Sequence, residues 1–250
     1  MRGEAVSTLH DALNGLRRVA AFAGIPPGAL ESLASGTRVR PFGRGDVLLH
    51  PSRPAECIHV IDRGLVRIGQ TTADGRHFGF GVVGPGAVIG VLGVFGSAPD
   101  GEEARSLSEG VAVEVSRRAV CAECERSPPA ALAFGRLAAE EARRARQALV
   151  ESTAVDVPTR VARQLIQLAT ALGVRADPTG PVVVPVLHRE LADLTGTARE
   201  TVTKVLSSFV AAGWVATSTR RVIIRDERSL ETFAGLDEPG RGRERGLPRA

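Results

Sequence analysis

A chain of 250 residues with 43% hydrophobic content has enough apolar material for two modest cores. Its net charge of +4 and pI of about 9.7 suit a polyanionic partner without proving one. Three unevenly spaced cysteines exclude a disulfide framework and fit a reducing, cytoplasmic setting, and the N-terminus shows no apolar run that reads as a signal peptide or membrane span.

Residues 1–18 are polar and weakly amphipathic and suggest no role. Leu16 to Ser35 predicts two short helices separated by Pro26 and Pro27. From Arg38 the period changes to short β-rich runs: Val47–His50, Cys57–Ile61, Leu65–Gly69, Phe78–Val83, Val88–Leu92 and Val111–Val115. Turn signals separate them, including a hairpin turn at Thr71–Gly75 and further turns at Gly84–Gly86 and Ala98–Gly101. Many short strands with Gly and Asp turns predict a jelly roll. After Val115 the pattern turns helical: Arg117–Arg126, a break at Ser127-Pro128-Pro129, and a long helix to about Ala154.

Along that long helix Ala131, Gly135, Ala138, Ala142, Ala145, Leu149 and Ser152 are spaced 4, 3, 4, 3, 4, 3, an unbroken heptad seam with charged flanks. A seam of small residues buries little area but allows close approach, so a dimer built on it is expected to lean on Leu149, Phe134 and the preceding domain. Pro158 suits the first turn of another helix, to Leu172. Val182–Pro185 predicts a short β segment.

The stretch Val186–Val215 reads as two helices and a turn. Leu187, Leu191 and Leu194 recur at helical spacing and Gly196 stops the run. A second helix, about 198–211, is expected to bury Val202, Leu206, Phe209 and Val210 and to expose Arg199, Glu200, Thr203 and Lys204. Lys204 is the only lysine in the chain. Two strands behind it, Trp214–Ala216 and Val222–Ile224, predict a wing, and 236–250 reads as a disordered tail. The whole is a helix-turn-helix that can enter a major groove.

This order, with LRRVAAFAGIPPGALESLA at Leu16–Ala34, DRGLVRI at Asp62–Ile68, GPGAVIGVLGVFG at Gly84–Gly96 and ELADLTGTARETVTKVL at Glu190–Leu206, resembles the Crp–Fnr family of bacterial transcription regulators. The resemblance implies an α+β chain: an N-terminal β jelly roll of the cyclic-nucleotide-binding kind (1–127), a dimerisation helix (128–155) and a C-terminal winged helix-turn-helix (156–235). It also implies double-stranded DNA, a second copy and RNA polymerase as partners, and no membrane. Arg199, Glu200 and Lys204 match the base-reading positions of the catabolite-activator branch, where Arg donates to guanine O6 and N7 and Glu accepts from cytosine N4. The family commonly has Arg where Lys204 stands, and Lys lacks the planar fork. Half-sites of the TGTGA type are therefore expected, with weaker discrimination opposite Lys204. Thr201 and Thr203 are further candidates to face DNA, and His188, Arg189, Arg220 and Arg221 are read as phosphate contacts.

The effector pocket departs from the cyclic-AMP-binding pattern. Gly90-Val91-Leu92 stands where those members have Gly-Glu-Leu, and an ungapped register puts Glu103 and Ala104 at the phosphate-binding pair. An acidic residue there would repel a phosphate. A shifted pair, Arg105-Ser106, leaves a cyclic-AMP-responsive alternative open, while Ala145 and Arg146 replace adenine-contacting hydroxyls. No cofactor is expected: neither cyclic AMP, haem nor iron–sulfur, and no metal. Cys121 and Cys124 form a lone CxxC read as buried structural thiols, with a redox role, alongside Cys57, as the alternative. His59 and His77 could serve a haem-responsive regulator, though nothing else marks a haem pocket. No nucleophile elbow, phosphate-binding glycine loop, HExxH or zinc spacing supports an enzyme.

Overall fold

The computed structural model describes residues 2–71, 77–96, 101–175, 177 and 180–236. The chain folds as two compact units, 1–147 and 148–250. Most of the predicted hairpin turn at 71–75, most of the turn at 98–101 and most of the predicted tail lie outside the described residues.

The first unit opens with helix α1 (Arg2–Arg17), a single 3-10 turn (Ala20–Phe22) and α2 (Pro27–Ser35), which Pro27 starts from inside its first turn. Eight strands follow: β1 (Thr37–Phe42), β2 (Val47–Leu49), β3 (Cys57–Arg63), β4 (Val66–Thr71), β5 (His77–Val83), β6 (Val88–Ile89), β7 (Glu102–Ser106) and β8 (Gly110–Ser116), with α3 (Val91–Phe95) between β6 and β7. They form two antiparallel four-stranded sheets, ordered β1-β8-β3-β6 and β2-β7-β4-β5, which is the expected jelly roll. Then come α4 (Arg117–Arg126) and the long α5 (Pro128–Ala154), with termini as expected.

Two cores hold this unit. Between the sheets lie Phe42, Leu48, Leu49, Ile61, Val66, Ile68, Val83, Ile89, Ala104 and Ala112. Strict alternation sends the other face of β3 and β8, with Ile58, Val60, Val113 and Val115, against α1, α2 and α5. Ala12 and Leu16 of α1 are fully buried there, so the N-terminal segment that suggested no role is a packed helix over the first sheet. Gly15 permits that approach, since a Cβ on it would sit 2.9 Å from a Val113 methyl.

One predicted strand needs correction. Val88–Leu92 is a strand only at Val88–Ile89. Gly90 takes a left-handed conformation at φ +81 and turns the chain into α3. A short apolar run does not distinguish a strand from one turn of buried helix.

The second unit contains α6 (Val157–Leu172), β9 (Val174–Arg175), β10 (Val182–Val184), α7 (His188–Thr195), α8 (Arg199–Ala211), β11 (Val215–Ser218), β12 (Arg221–Ile224) and α9 (Glu227–Ala234). Asp156 caps α6 by accepting from the Thr159 amide at 2.8 Å. The small sheet runs β11-β12-β10-β9. The sequence pattern does not signal α9. It is tied in by Arg163, which donates to the Ala234 carbonyl, and by Phe233, which packs against Phe209 and Trp214 at 5.5 and 5.4 Å.

Candidate functional site

The helix-turn-helix is built locally. The Glu190 carboxylate reaches back to accept from the Leu187 amide at 2.7 Å and starts α7. Gly196 ends it at φ 59 and ψ 41, the left-handed stop that the sequence indicates. Helix α8 buries Val202, Val205, Leu206 and Phe209, one stripe at i, i+3, i+4, i+7. Val210, expected inside, is 41% exposed, and Val205 takes its place. The opposite face exposes Arg199, Glu200, Thr203 and Lys204, while Thr201 is half-buried. Ala198 gives α8 no side-chain cap, and its carbonyl receives the Thr201 and Val202 amides, each at 3.1 Å.

Arg199 and Arg220 line one groove of about 520 Å³ with His188, Arg189 and the wing tip Ser218–Thr219. Arg220 sits at φ 66, a left-handed conformation that costs a side-chain-bearing residue about 1 kcal/mol. The wing therefore holds its cation at the turn itself; Arg221 follows, exposed, on β12.

His188 departs from the reading as a phosphate contact. Its Nδ1 lies 3.1 Å from the Thr203 hydroxyl, which in turn bonds the Arg199 carbonyl at 3.0 Å. The hydroxyl has one proton, and with that proton on the Arg199 carbonyl the imidazole donates through Nδ1. Burial, and secondly the Arg199 charge, hold the His188 pKa below its ordinary value. A neutral ring bridging α7 to α8 suits a brace for the reading helix better than a cation for phosphate. Thr203 is likewise engaged within the protein.

Arg160 was not foreseen. It donates to the carbonyls of Ser152 and Val155 at the end of α5 and to Thr195 at the end of α7, at 3.2, 2.6 and 3.1 Å. One guanidinium thus closes two helix C-termini, where cations are favoured. Nothing in its local sequence pattern signals this, since both partners lie on other elements.

Helix α5 carries two stripes. Ala130, Ala133, Phe134 and Glu141 are buried. Phe134 packs edge-on against Phe22 and Phe95, at 5.3 and 6.2 Å, so it serves the unit's own core and is not free to meet a partner helix, contrary to expectation. The heptad positions Ala131, Gly135, Ala142 and Leu149 are exposed, and Ala138, Ala145 and Ser152 are half-buried. A Cβ placed on Gly135 would meet nothing within 4 Å.

In the jelly roll, Val91 is buried and its amide donates to the Glu141 carboxylate of α5 at 3.2 Å, as does the Leu92 amide at 2.9 Å. Alternation along β7 then separates the remaining pocket candidates. Ala104 points into the inter-sheet core, and Ser106 on the same side donates to the Gly43 carbonyl. Glu103 and Arg105 point to the other face. There Glu103 accepts from Arg67 at 3.3 Å, Arg105 at 2.8 Å and Thr71 at 3.1 Å. The acidic residue that looked misplaced is thus neutralised by two arginines, one of them, Arg67, unforeseen. Arg105 also donates to the Gly45 carbonyl. It does not share a face with Ser106, so the shifted Arg-Ser pair forms no single anion site. Arg146 is exposed on α5.

Cys57 and His59 face the space between the sheets, beside Glu114 of β8. Burial first, and then the Glu114 charge, push the Cys57 thiol up to about 11, so thiolate is scarce at neutral pH. Glu114 is held down at about 2, chiefly by its hydrogen bond with His59 and despite burial. Cys121 and Cys124 are free and half-buried, and burial raises Cys124. These features fit structural thiols.

Both units are similar to known proteins. The Crp-like helix-turn-helix domain family matches residues 159–233, and the cyclic nucleotide-binding domain family matches 39–127. A CRP-like cAMP-activated global transcriptional regulator of Mycobacterium tuberculosis is 31% identical over 215 residues, 86% of this chain and 96% of that protein. The transcriptional regulator LdrP of Thermus thermophilus is 32% identical over 198 residues, 78% of this chain and 95% of its own. Among solved structures, a CRP-family transcriptional regulator from Thermus thermophilus is similar with a TM-score of 0.63 and 31% identity, covering 78% of this chain and 96% of that one.

Proposed function

Because the chain belongs to the Crp–Fnr family of transcription regulators, we propose that it works as a homodimer that sets two copies of α8 into successive major grooves of a palindromic site. The observation that carries this reading is the exposed face of α8, where Arg199, Glu200 and Lys204 stand free of the core beside the wing cation Arg220. Arg199 supplies a bidentate fork for guanine, and Glu200 an acceptor for cytosine N4. Lys204 supplies a point charge with less geometric selectivity. In this reading Arg189, Arg220 and Arg221 contact phosphates, which set register and salt dependence. RNA polymerase is the further partner that family membership suggests. A gel shift on a TGTGA-type palindrome, against a scrambled duplex of the same length and at fixed salt, tests the reading. Preference for the palindrome is expected, and equal affinity for both would refute it.

The open heptad face of α5 supports the homodimer. Leu149 is 64% exposed and the small residues before it leave room for close approach. Gly135→Leu should keep or raise the stability of the subunit, since the space around that position is empty and Leu is a far better helix former than Gly. It should also raise the dimer dissociation constant by more than about tenfold, because helices packed over Ala and Gly cannot admit the added side chain. Sedimentation equilibrium measures this. An unchanged dimer constant would place the interface elsewhere.

For the effector, the geometry disfavours cyclic AMP held in the family's manner. Val91 offers no carboxylate for a ribose, and Arg105 bonds Glu103 and Gly45 on the face away from Ala104 and Ser106. Calorimetry of the full chain with cyclic AMP should detect no binding with a micromolar dissociation constant, and such binding would overturn this part of the reading.

A further inference from the structure

Strands β3 and β8 bring three metal-ligating side chains to one spot that the DNA-binding reading does not use. Cys57 and His59 are two apart on β3 and so share a face. Glu114 lies directly across from His59 in the antiparallel register. The Cys57 Sγ to His59 Nε2 distance is 3.9 Å, and His59 Nε2 lies 3.4 Å from a Glu114 oxygen. All three ligand atoms fall within 4.8 Å of one another. A tetrahedral ion bound at zinc-like bond lengths needs ligand–ligand separations of about 3.3–3.8 Å, so small side-chain rotations suffice.

The surroundings point to a ligand as well. The cluster lines a cavity of about 610 Å³ inside the mouth of the jelly roll, with Arg40, His50 and Arg53 among the other walls. His59 is 2% exposed and presents Nε2 to Cys57 and Glu114, while Nδ1, its other ring nitrogen, has no hydrogen-bond partner among the described residues. We infer that Cys57, His59 and Glu114 form a binding site for a zinc-type divalent transition-metal ion, with the fourth position open to the cavity.

The ligand types favour this class. Thiolate and imidazole select soft and borderline ions over magnesium or calcium. Three protein ligands with one open position differ from the four-ligand pattern of closed structural sites. On binding, the Cys57 thiol gives its proton to solvent, the Nε2 proton that bonds Glu114 passes to Nδ1, and Sγ–metal and Nε2–metal bonds form with no change of oxidation state. Thiolate and carboxylate together balance the charge of the ion. Arg40, which holds Glu114 at 3.1 Å and the Val47 carbonyl at 3.3 Å, then meets a neutral cluster and orients the carboxylate from outside.

Cobalt(II) is the probe. The full chain, stripped with chelator, is titrated with Co2+ and the near-ultraviolet and visible spectra are followed, with Zn2+ as competitor. One equivalent should produce a thiolate-to-cobalt charge-transfer band and tetrahedral visible bands, which Zn2+ abolishes. Cys57→Ser should remove the charge-transfer band, and Glu114→Gln should weaken Co2+ binding by more than about tenfold. A Cys121→Ser, Cys124→Ser double variant should keep the band. Circular dichroism of each metal-free variant checks that the fold is retained. No charge-transfer band at one equivalent overturns the proposal, as does a band that survives Cys57→Ser and disappears only in the double variant.

Discussion

Arg199→Ala is expected to weaken binding to the palindromic site by about 2–6 kcal/mol per dimer, at about 1–3 kcal/mol for each of two separate half-sites. That corresponds to a loss of roughly 30-fold to more than 10,000-fold in affinity. The size follows from the setting. Arg199 is exposed at the first turn of α8, on a helix whose opposite stripe is buried, so its side chain is presented on a rigid element. Removing it should also relax the preference for guanine at one position in each half-site, which a phosphate contact would not do. Competition binding against single-base variants of the palindrome reads both effects. A loss below about threefold, or an equal loss on scrambled DNA, would show that Arg199 is not a base reader.

Glu103→Ala is expected to destabilise the jelly roll by about 3–5 kcal/mol, because it withdraws a charged partner from a buried arginine. The Arg67 and Glu103 side chains are 8% and 11% exposed, and the same carboxylate also receives Arg105 and Thr71. Arg105→Ala removes a partner that is 40% exposed and should cost less than about 1 kcal/mol. Chemical denaturation of the full chain, following the transition of the first unit, compares the two. If Glu103→Ala proves as mild as Arg105→Ala, the network contributes little and Glu103 is available for another role.

Residues close in sequence made the DNA-binding half legible. Gly196 is a stop that any helix pattern needs, and the burial of Val202, Leu206 and Phe209 follows from a period of 3.6. The error at Val210 is one of phase: the buried stripe passes through Val205 and leaves Val210 outside it. The exposure of Ala131, Gly135, Ala142 and Leu149 on α5 was legible for the same reason. That Phe134 belongs to the other stripe was not, because its partners Phe22 and Phe95 come from elements far along the chain.

The jelly roll's order was readable from its turns, but its chemistry was not. Glu103 looked like a charge in the wrong place because Arg67, 36 residues away, meets it only through strand pairing. The i, i+2 spacing of Cys57 and His59 is visible in one dimension, while Glu114 joins them only through the register of β3 against β8. Helix α1 reads as polar because its contribution is confined to the few positions, Ala12 and Leu16 among them, that touch the first sheet.

The Glu141 carboxylate on the amides of Val91 and Leu92 has a geometric consequence for α5. One residue along a helix is a turn of about 100°. Were α5 to roll by that amount, both amides at the start of α3 would lose their acceptor in a site where Val91 is fully buried. The azimuth of the long helix is thereby indexed to the roll. Ala138, Ala142 and Ala145 stand about one turn or less from Glu141, so the carboxylate that holds the start of α3 also fixes the direction in which the heptad stripe of α5 points.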